Sequence, residues 1–173
     1  LENLRDVAAD RRYSFVKGNV ADAAAVAAAM AGCDAVVNFA AETHVDRSIH
    51  DAADFIETNV RGAYHVLTGA RDLAVERLLH VSTDEVYGPA RPDAPRRETD
   101  AFAPRSPYAV SKAAGDMMCR AFAETYGLQA VVARPANNIG PYQHPEKAVP
   151  PFVTTALYGE PLPVYGGGLQ QRD

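Results

Sequence analysis

Short apolar runs along the chain are separated by longer stretches in which apolar residues recur every three or four positions. The runs at residues 35–39 (Ala-Val-Val-Asn-Phe), 78–82 and 128–134 are of the first kind, and each predicts a buried parallel strand. Residues 13–16, ending at Lys17-Gly18-Asn19, predict a further short strand, and residues 162–165 another. Helices are predicted between them. Asp22 suits the cap of a helix running to Met30, with Val26 and Met30 on its apolar face and Gly32 ending it. Residues 53–73 predict a long helix with Phe55, Val60, Ala63, Val66 and Leu67 on one side. Residues 108–126 predict another, closed by Gly127, and residues 149–158 a short one. Residues 40–49, 89–107 and 135–145 are polar or proline-rich and predict loops.

Strand and helix thus alternate. That order predicts an α/β fold with a doubly wound parallel sheet and right-handed crossovers. One part of a dinucleotide-binding sheet is not in the sequence. No G-x-G-x-x-G or G-x-x-G-x-x-G joins a strand to a helix. Gly166-Gly167-Gly168 opens no helix and reads as a tight turn. The chain starts at Leu1 and stops at Asp173, just after that turn, and we read it as the central fragment of a longer protein.

Composition narrows the partners. The length suits one ordinary domain, the formal charge is -5 and the isoelectric point is about 5.5. With no basic stripe, a nucleic-acid partner is not expected. No apolar run approaches the roughly 18 residues of a membrane span, and the polar amino terminus has no signal-peptide character. Cys33 and Cys119 are far apart and lack metal-ligand spacing, so no metal site is expected. Both read as reduced thiols of a cytoplasmic protein.

The candidate chemistry lies in two motifs. Val81-Ser82-Thr83-Asp84-Glu85-Val86-Tyr87-Gly88 reads as a strand breaking into three polar residues. Tyr108-Ala109-Val110-Ser111-Lys112 opens a helix, with Tyr108 and Lys112 four apart on one face. A phenol is too weakly acidic to be a base at neutral pH, and a neighbouring ammonium lowers its pKa. The pair suits removal of a proton from a sugar hydroxyl while hydride leaves the same carbon. Tyr-x-x-x-Lys alone also fits a surface pair, but Ser106-Pro107 ahead of it and the polar strand end upstream favour catalysis. Thr83 suits a hydrogen bond to the reacting hydroxyl. Asp84 and Glu85, in different environments, suit a general acid and a general base. Eliminating water needs both, whereas a plain dehydrogenase does not. Solvated turn carboxylates are the plain alternative. Ala40 and Ala41, after a strand, leave room for a cofactor at the sheet edge, and His44 reads as structural. Asn137 and Asn138 end another strand, where they either donate to a ligand or cap a loop. Lys147 and Arg172 suit a diphosphate, or, as isolated charges, are simply solvated.

These stretches resemble the extended short-chain dehydrogenase/reductase family, in its NAD-dependent epimerase/dehydratase group. Within it the likeness is to the dTDP-glucose 4,6-dehydratases. It is carried by AAETHVDRSI (40–49), FIETN (55–59), STDEVYG (82–88), SPYAVSK (106–112), NNIGPYQHPEK (137–147), and PLPVYGGG with the final QQRD. The Thr83-Asp84-Glu85 triplet marks dehydratases acting on nucleotide-linked glucose, since related epimerases and decarboxylases usually carry a Ser-based motif there.

The resemblance implies a Rossmann-type NAD-binding fold, incomplete here because the first βαβ unit and most of the carboxyl-terminal domain are absent. Residues 1–140 would be the NAD-binding part and 141–173 the start of the sugar-nucleotide domain. It implies that Tyr108 takes the 4-hydroxyl proton as C4 hydride passes to NAD, with Thr83 polarising that hydroxyl and Lys112 supporting the tyrosinate. Glu85 would take the C5 proton, Asp84 would protonate the departing 6-hydroxyl, and hydride would return to C6. The implied cofactor contacts are Asn19, Val20, Phe39, Ala40, Ala41, Glu42, Thr43, Thr58, Ser82, Tyr108, Lys112 and Asn138. The implied substrate contacts are Thr43, Thr83, Asn137, Lys147, Ala148, Pro163, Val164, Tyr165 and Arg172. Asn19 stands where Asp is usual, Ala136 where Ser is frequent, and Ala148 where a larger apolar residue is usual. A homodimer through the two long helices is also implied, as is a role in deoxysugar biosynthesis such as rhamnose formation. With no Gly-rich turn to hold the diphosphate, the 173 residues alone are expected to bind NAD weakly and not to turn over. The competing readings are a UDP-glucose dehydratase or epimerase, and a truncated non-catalytic chain.

Overall fold

The computed structural model describes residues 2–89, 93–164 and 167–168. They fall into two compact units, Val16–Ala136 and a second drawn from Leu1–Phe15 and Asn137–Asp173.

The larger unit is built on three parallel strands, β1 (Ala35–Asn38), β2 (Arg77–Val81) and β3 (Ala130–Ala133), side by side in chain order. Val36 is in register with Leu78, and Leu78 with Ala130. Parallel neighbours need crossover connections, and helices supply them. Helix α1 (Ala23–Met30) starts where Asp22 Oδ1 accepts from the Ala24 and Ala25 amides at 2.9 and 3.2 Å. Met30 joins Val66, Leu67, Ala70, Leu78, Cys119 and Phe122 in one core against Val36, Ala130 and Val132. Those strand residues share one face of the sheet. Val37 and Val131 point to the other face and are 52% and 64% exposed. Among the described residues the core lies on one face of the sheet.

Several segments depart from the sequence reading. Residues 13–16 form no strand, because no described strand lies beside them to take up their N–H and C=O groups. The expected loop at 40–49 contains a short helix, α2 (Val45–His50). The expected single helix at 53–73 is three joined pieces: α3 (Ala53–Phe55), a π-helical stretch (Ile56–Gly62) and α4 (Ala63–Asp72). A π-turn inserts a residue and re-aims the side chains beyond it, and such turns gather at functional sites. Helix α5 (Pro107–Tyr126) begins one residue earlier than expected, with Pro107 in its first turn and Ser106 accepting from the Ala109 amide at 3.1 Å.

In the smaller unit, α6 (Val149–Leu157) forms as expected, and none of its residues is buried. The strand expected at 162–165 is not found over 162–164, and Tyr165 lies outside the described residues. Among the described residues no helix is long and apolar enough to cross a membrane, and no group of His, Cys, Asp or Glu is arranged to hold a metal.

Candidate active site

The site gathers at the carboxyl ends of β1 and β2, where open α/β sheets bind ligands. After β2, Ser82 and Thr83 are buried, and the chain winds into a 3₁₀ turn, Asp84–Tyr87. Thr83 caps that turn, its Oγ1 accepting from the Glu85 amide at 3.3 Å and donating to Asp84 Oδ1 at 3.2 Å. The Asp84 amide donates to Pro135 O at 3.1 Å, and the Ala103 amide to Val86 O at 2.9 Å. Gly88 closes the turn at φ 72°, and a Cβ there would collide with Ala103 O. The two carboxylates therefore ride on a turn fixed from both sides.

Tyr108 and Lys112 stand on the first turns of α5, 8% and 3% exposed. Three residues that the sequence reading did not single out as site residues hold this end of the helix. Ser48, on α2, accepts from the Tyr108 amide at 3.2 Å, and Ser111 donates to Tyr108 O at 2.7 Å. Asn59, inside the π-helical stretch, donates to Ser111 Oγ and to Glu42 O, both at 2.9 Å. Asn59 Oδ1 also accepts from the Glu42 amide at 2.8 Å. One buried amide thus ties the 39–43 loop to the Tyr–Lys helix. Asn59 and Ser111 showed only as polar residues within helical patterns and Ser48 only as a polar residue of an expected loop, and the inward face of Asn59 depends on the π-turn.

The electrostatics differ from the expectation for Tyr108. Its pKa is raised, first by burial and then by the Glu85 and Asp84 charges, and a hydrogen bond shared with Thr83 opposes this. Lys112 does not offset the rise, because its Nζ donates to Val81 O at 2.6 Å. Burial lowers the Lys112 pKa, and the nearby Asp116 charge resists that. His80, on β2, is pushed down to about 4 by burial and by Lys112, so it is neutral at pH 7. Its Nδ1 lies 3.2 Å from Asn38 Nδ2.

The residues expected at the cofactor divide by place. Ala40 and Phe39 are exposed at the end of β1, Ala41 and Glu42 follow half-buried, and Thr43 is exposed. Thr58 is half-buried in the π-helical stretch. The Ala40 amide donates to Asn38 Oδ1 at 3.1 Å, which fixes the start of this small-residue loop. Asn19 is exposed, accepts from the Ala21 amide at 2.9 Å, and sits beside half-buried Val20. Exposed Ala40 at the end of β1 leaves room for a bound group at this sheet edge.

Asn137, Asn138, Lys147, Ala148, Pro163 and Val164 belong to the smaller unit, and all are exposed. Tyr165 and Arg172 lie outside the described residues.

A parallel sheet ending in a Thr–Asp–Glu turn beside a buried Tyr–Lys helix defines a class. The chain belongs to the NAD dependent epimerase/dehydratase family, whose model matches residues 1–173. Among its relatives is a dTDP-glucose 4,6-dehydratase of Streptomyces niveus, 48% identical over 170 residues, which cover 98% of this chain and 50% of the relative. A low-salt glycan biosynthesis protein of Haloferax volcanii is 44% identical over 172 residues, covering 99% of this chain and 55% of the relative. A solved structure of a dTDP-glucose 4,6-dehydratase from Streptomyces venezuelae with NAD bound superposes with a TM-score of 0.93 at 50% identity. It is matched over 99% of this chain and 53% of its own. The chain spans about half the length of the curated relatives it matches.

Proposed function

We propose that the protein of which this chain forms the catalytic segment dehydrates dTDP-glucose to dTDP-4-keto-6-deoxyglucose. The observation that carries this reading is the Thr83-Asp84-Glu85 turn beside Tyr108: two carboxylate charges act on the phenol, and Thr83 is hydrogen-bonded to it. Tyr108 accepts the proton of the sugar 4-hydroxyl, which Thr83 orients. Glu85 then removes the C5 proton, made acidic by the 4-keto group, and Asp84 protonates the 6-hydroxyl as it departs as water. NAD, when bound, would supply the hydride acceptor for C4 and the hydride donor for C6, and Glu85 would give its proton back to C5, so no cofactor would be consumed. Residues 39–43, Thr58, Ser82, Lys112, Asn138 and, near the adenine, Asn19 and Val20 would hold it. Asn137, Lys147, Ala148, the 163–165 stretch and Arg172 would hold the nucleotide sugar.

Residues 1–140 are in this reading the NAD-binding part and 141–173 the opening of the sugar-nucleotide part. The enzyme is cytoplasmic and serves deoxysugar formation, rhamnose among its outlets. It is a homodimer through α4 and α5, where Tyr64, Val110 and Met117 are 46%, 50% and 65% exposed. The 173 residues alone bind NAD weakly, for want of a Gly-rich diphosphate turn, and calorimetry giving a micromolar affinity would overturn that point.

The test grafts Leu1–Asp173 in place of the matching half of the Streptomyces venezuelae enzyme and incubates the hybrid with dTDP-glucose and NAD. A product lighter by one water, abolished by Tyr108→Phe and much reduced by Glu85→Gln, is the expected result. A folded, NAD-bound hybrid giving no mass change sinks the substrate assignment and moves weight to a UDP-sugar or an epimerase.

A further inference from the structure

Behind the Tyr–Lys pair lies a second charged group that the reaction does not use. Asp116 stands one turn beyond Lys112 on α5, with its side chain 1% exposed. Its Oδ2 accepts from Arg134 Nε at 2.6 Å, just after β3. Arg134 Nη1 donates to Tyr87 Oη at 2.8 Å, and its guanidinium lies over the Tyr87 and Phe102 rings, 5.4 and 5.0 Å from their centroids. Tyr87 ends the turn that carries Asp84 and Glu85. A carboxylate this deep is retained only if it is paired and hydrogen-bonded.

We infer that Asp116 is a positioning residue for the reacting groups: it holds the Lys112 ammonium from below and, through Arg134 and Tyr87, locks the Asp84–Glu85 turn against α5. The inference rests on reading Tyr108 and Lys112 as the reacting pair. The charged and titratable groups nearest Asp116 are Lys112 and Cys119 on its own helix and Arg134 just after β3, and Glu98, Asp100, Arg120 and Glu124 line the same cavity. The Ser82 hydroxyl lies beside it from the end of β2, and His80 stands next to Lys112. Burial favours the neutral acid, while Arg134, Ser82 and Lys112 favour the carboxylate. Burial is the larger influence and raises the Asp116 pKa, but Arg134 stays charged at any working pH and bonds the carboxylate directly, which resists protonation.

The test is carbon-detected NMR on the chain as it stands. At pH 7 the Asp116 side-chain carbon should report an ionised carboxylate; a protonated acid overturns the inference without any variant. In Asp116→Asn, nearly isosteric, the Lys112 ammonium should lose its proton at lower pH than in the unaltered chain. An unmoved Lys112 titration, with the Tyr108 and Ser111 amide signals in place, also overturns it. In the hybrid enzyme, Asp116→Asn should lower kcat about tenfold or more with the sugar-nucleotide KM unchanged. A hybrid without turnover refutes the reaction reading and leaves the NMR result to judge Asp116.

Discussion

Replacing Asn59 by alanine should unlatch the 39–43 loop from the Tyr–Lys helix. The side chain makes three hydrogen bonds, two to Glu42 backbone atoms and one to Ser111 Oγ, and is 2% exposed. Its loss strands each partner differently. Glu42 is half-buried, so water partly replaces what its N–H and C=O lose. Ser111 is fully buried and keeps only its bond to Tyr108 O. A buried polar group left without a partner costs about 1–3 kcal/mol. Full cost at Ser111 and a reduced cost at Glu42 give about 3 kcal/mol, a large share of the ~5–15 kcal/mol that holds a domain together.

Urea unfolding reads this directly. With a slope of about 2 kcal/mol per molar, the midpoint should fall by about 1.5 M with the slope unchanged. Amide exchange adds the location, with the Glu42 N–H losing protection beyond the global change. Asn59→Asp separates shape from chemistry. It keeps an acceptor for the Glu42 amide but sets a second acceptor against Glu42 O, so it should be no milder at pH 7. A midpoint shift worth less than about 1 kcal/mol in Asn59→Ala, with Glu42 exchange unaltered, would refute the latch.

His80 gives a pH dependence of known sign. Its folded pKa of about 4 lies below its unfolded value near 6.5, so the unfolded chain binds more protons between them. The stability it contributes is whole above pH 6.5 and declines by about 1.4 kcal/mol per pH unit down to pH 4. Urea midpoints at pH 7 and pH 5 should therefore differ more in the unaltered chain than in His80→Gln; equal slopes refute it. Gly115→Ala places a Cβ 2.9 Å from His80 Nε2, on a ring held by Asn38, so α5 must lift from β2. Against a helix-propensity gain of about 1 kcal/mol, overpacking costs about 1–3 kcal/mol, so the variant should be no more stable and should show displaced Tyr108 and Lys112 signals. A more stable variant with unmoved signals would contradict that contact.

Local patterns made most of the framework legible in the sequence. The strands at 35–38, 77–81 and 130–133 stand out as short apolar runs bounded by polar and turn-forming residues, although β1 and β3 bury only one face. Asp22, Ser106 and Gly127 bracket their helices by capping chemistry that acts within a few residues. The π-turn was less visible. Phe55 and Asn59 are buried, as is Gly62, and apolar Val60 sits five after Phe55, a spacing that an α-helix does not keep on one face. The latch at Asn59 and the Arg134–Asp116 pair lie further from reach. Each joins residues 17 or 18 positions or more apart, and their partners are set by how the sheet brings helices together. The triplet at 83–85 and the Tyr–Lys spacing were readable because each chemical role sits within five consecutive residues. The direction of the Tyr108 shift was not, because it depends on where Lys112 Nζ points.

That direction exposes a conflict within the proposed reaction. The carboxylates needed to eliminate water also oppose the first step, since the Asp84 and Glu85 charges favour the protonated phenol. Thr83 alone among its neighbours pulls the other way. Two substitutions should therefore move the Tyr108 titration in opposite senses. Glu85→Gln removes a negative charge and should let Tyr108 ionise at lower pH. Thr83→Val removes a hydrogen bond that supports the phenolate and should delay ionisation to higher pH. The ring-carbon shift of labelled Tyr108, followed through an alkaline titration, reads both. If burial alone set the value, neither exchange would move it, and the turn would have no electrostatic hold on the base. If both move as argued, positive charge must reach the phenol before it can act near neutral pH. Lys112, bound to Val81 O in this structure, would then have to turn toward Tyr108, or the cationic nicotinamide would have to arrive beside it.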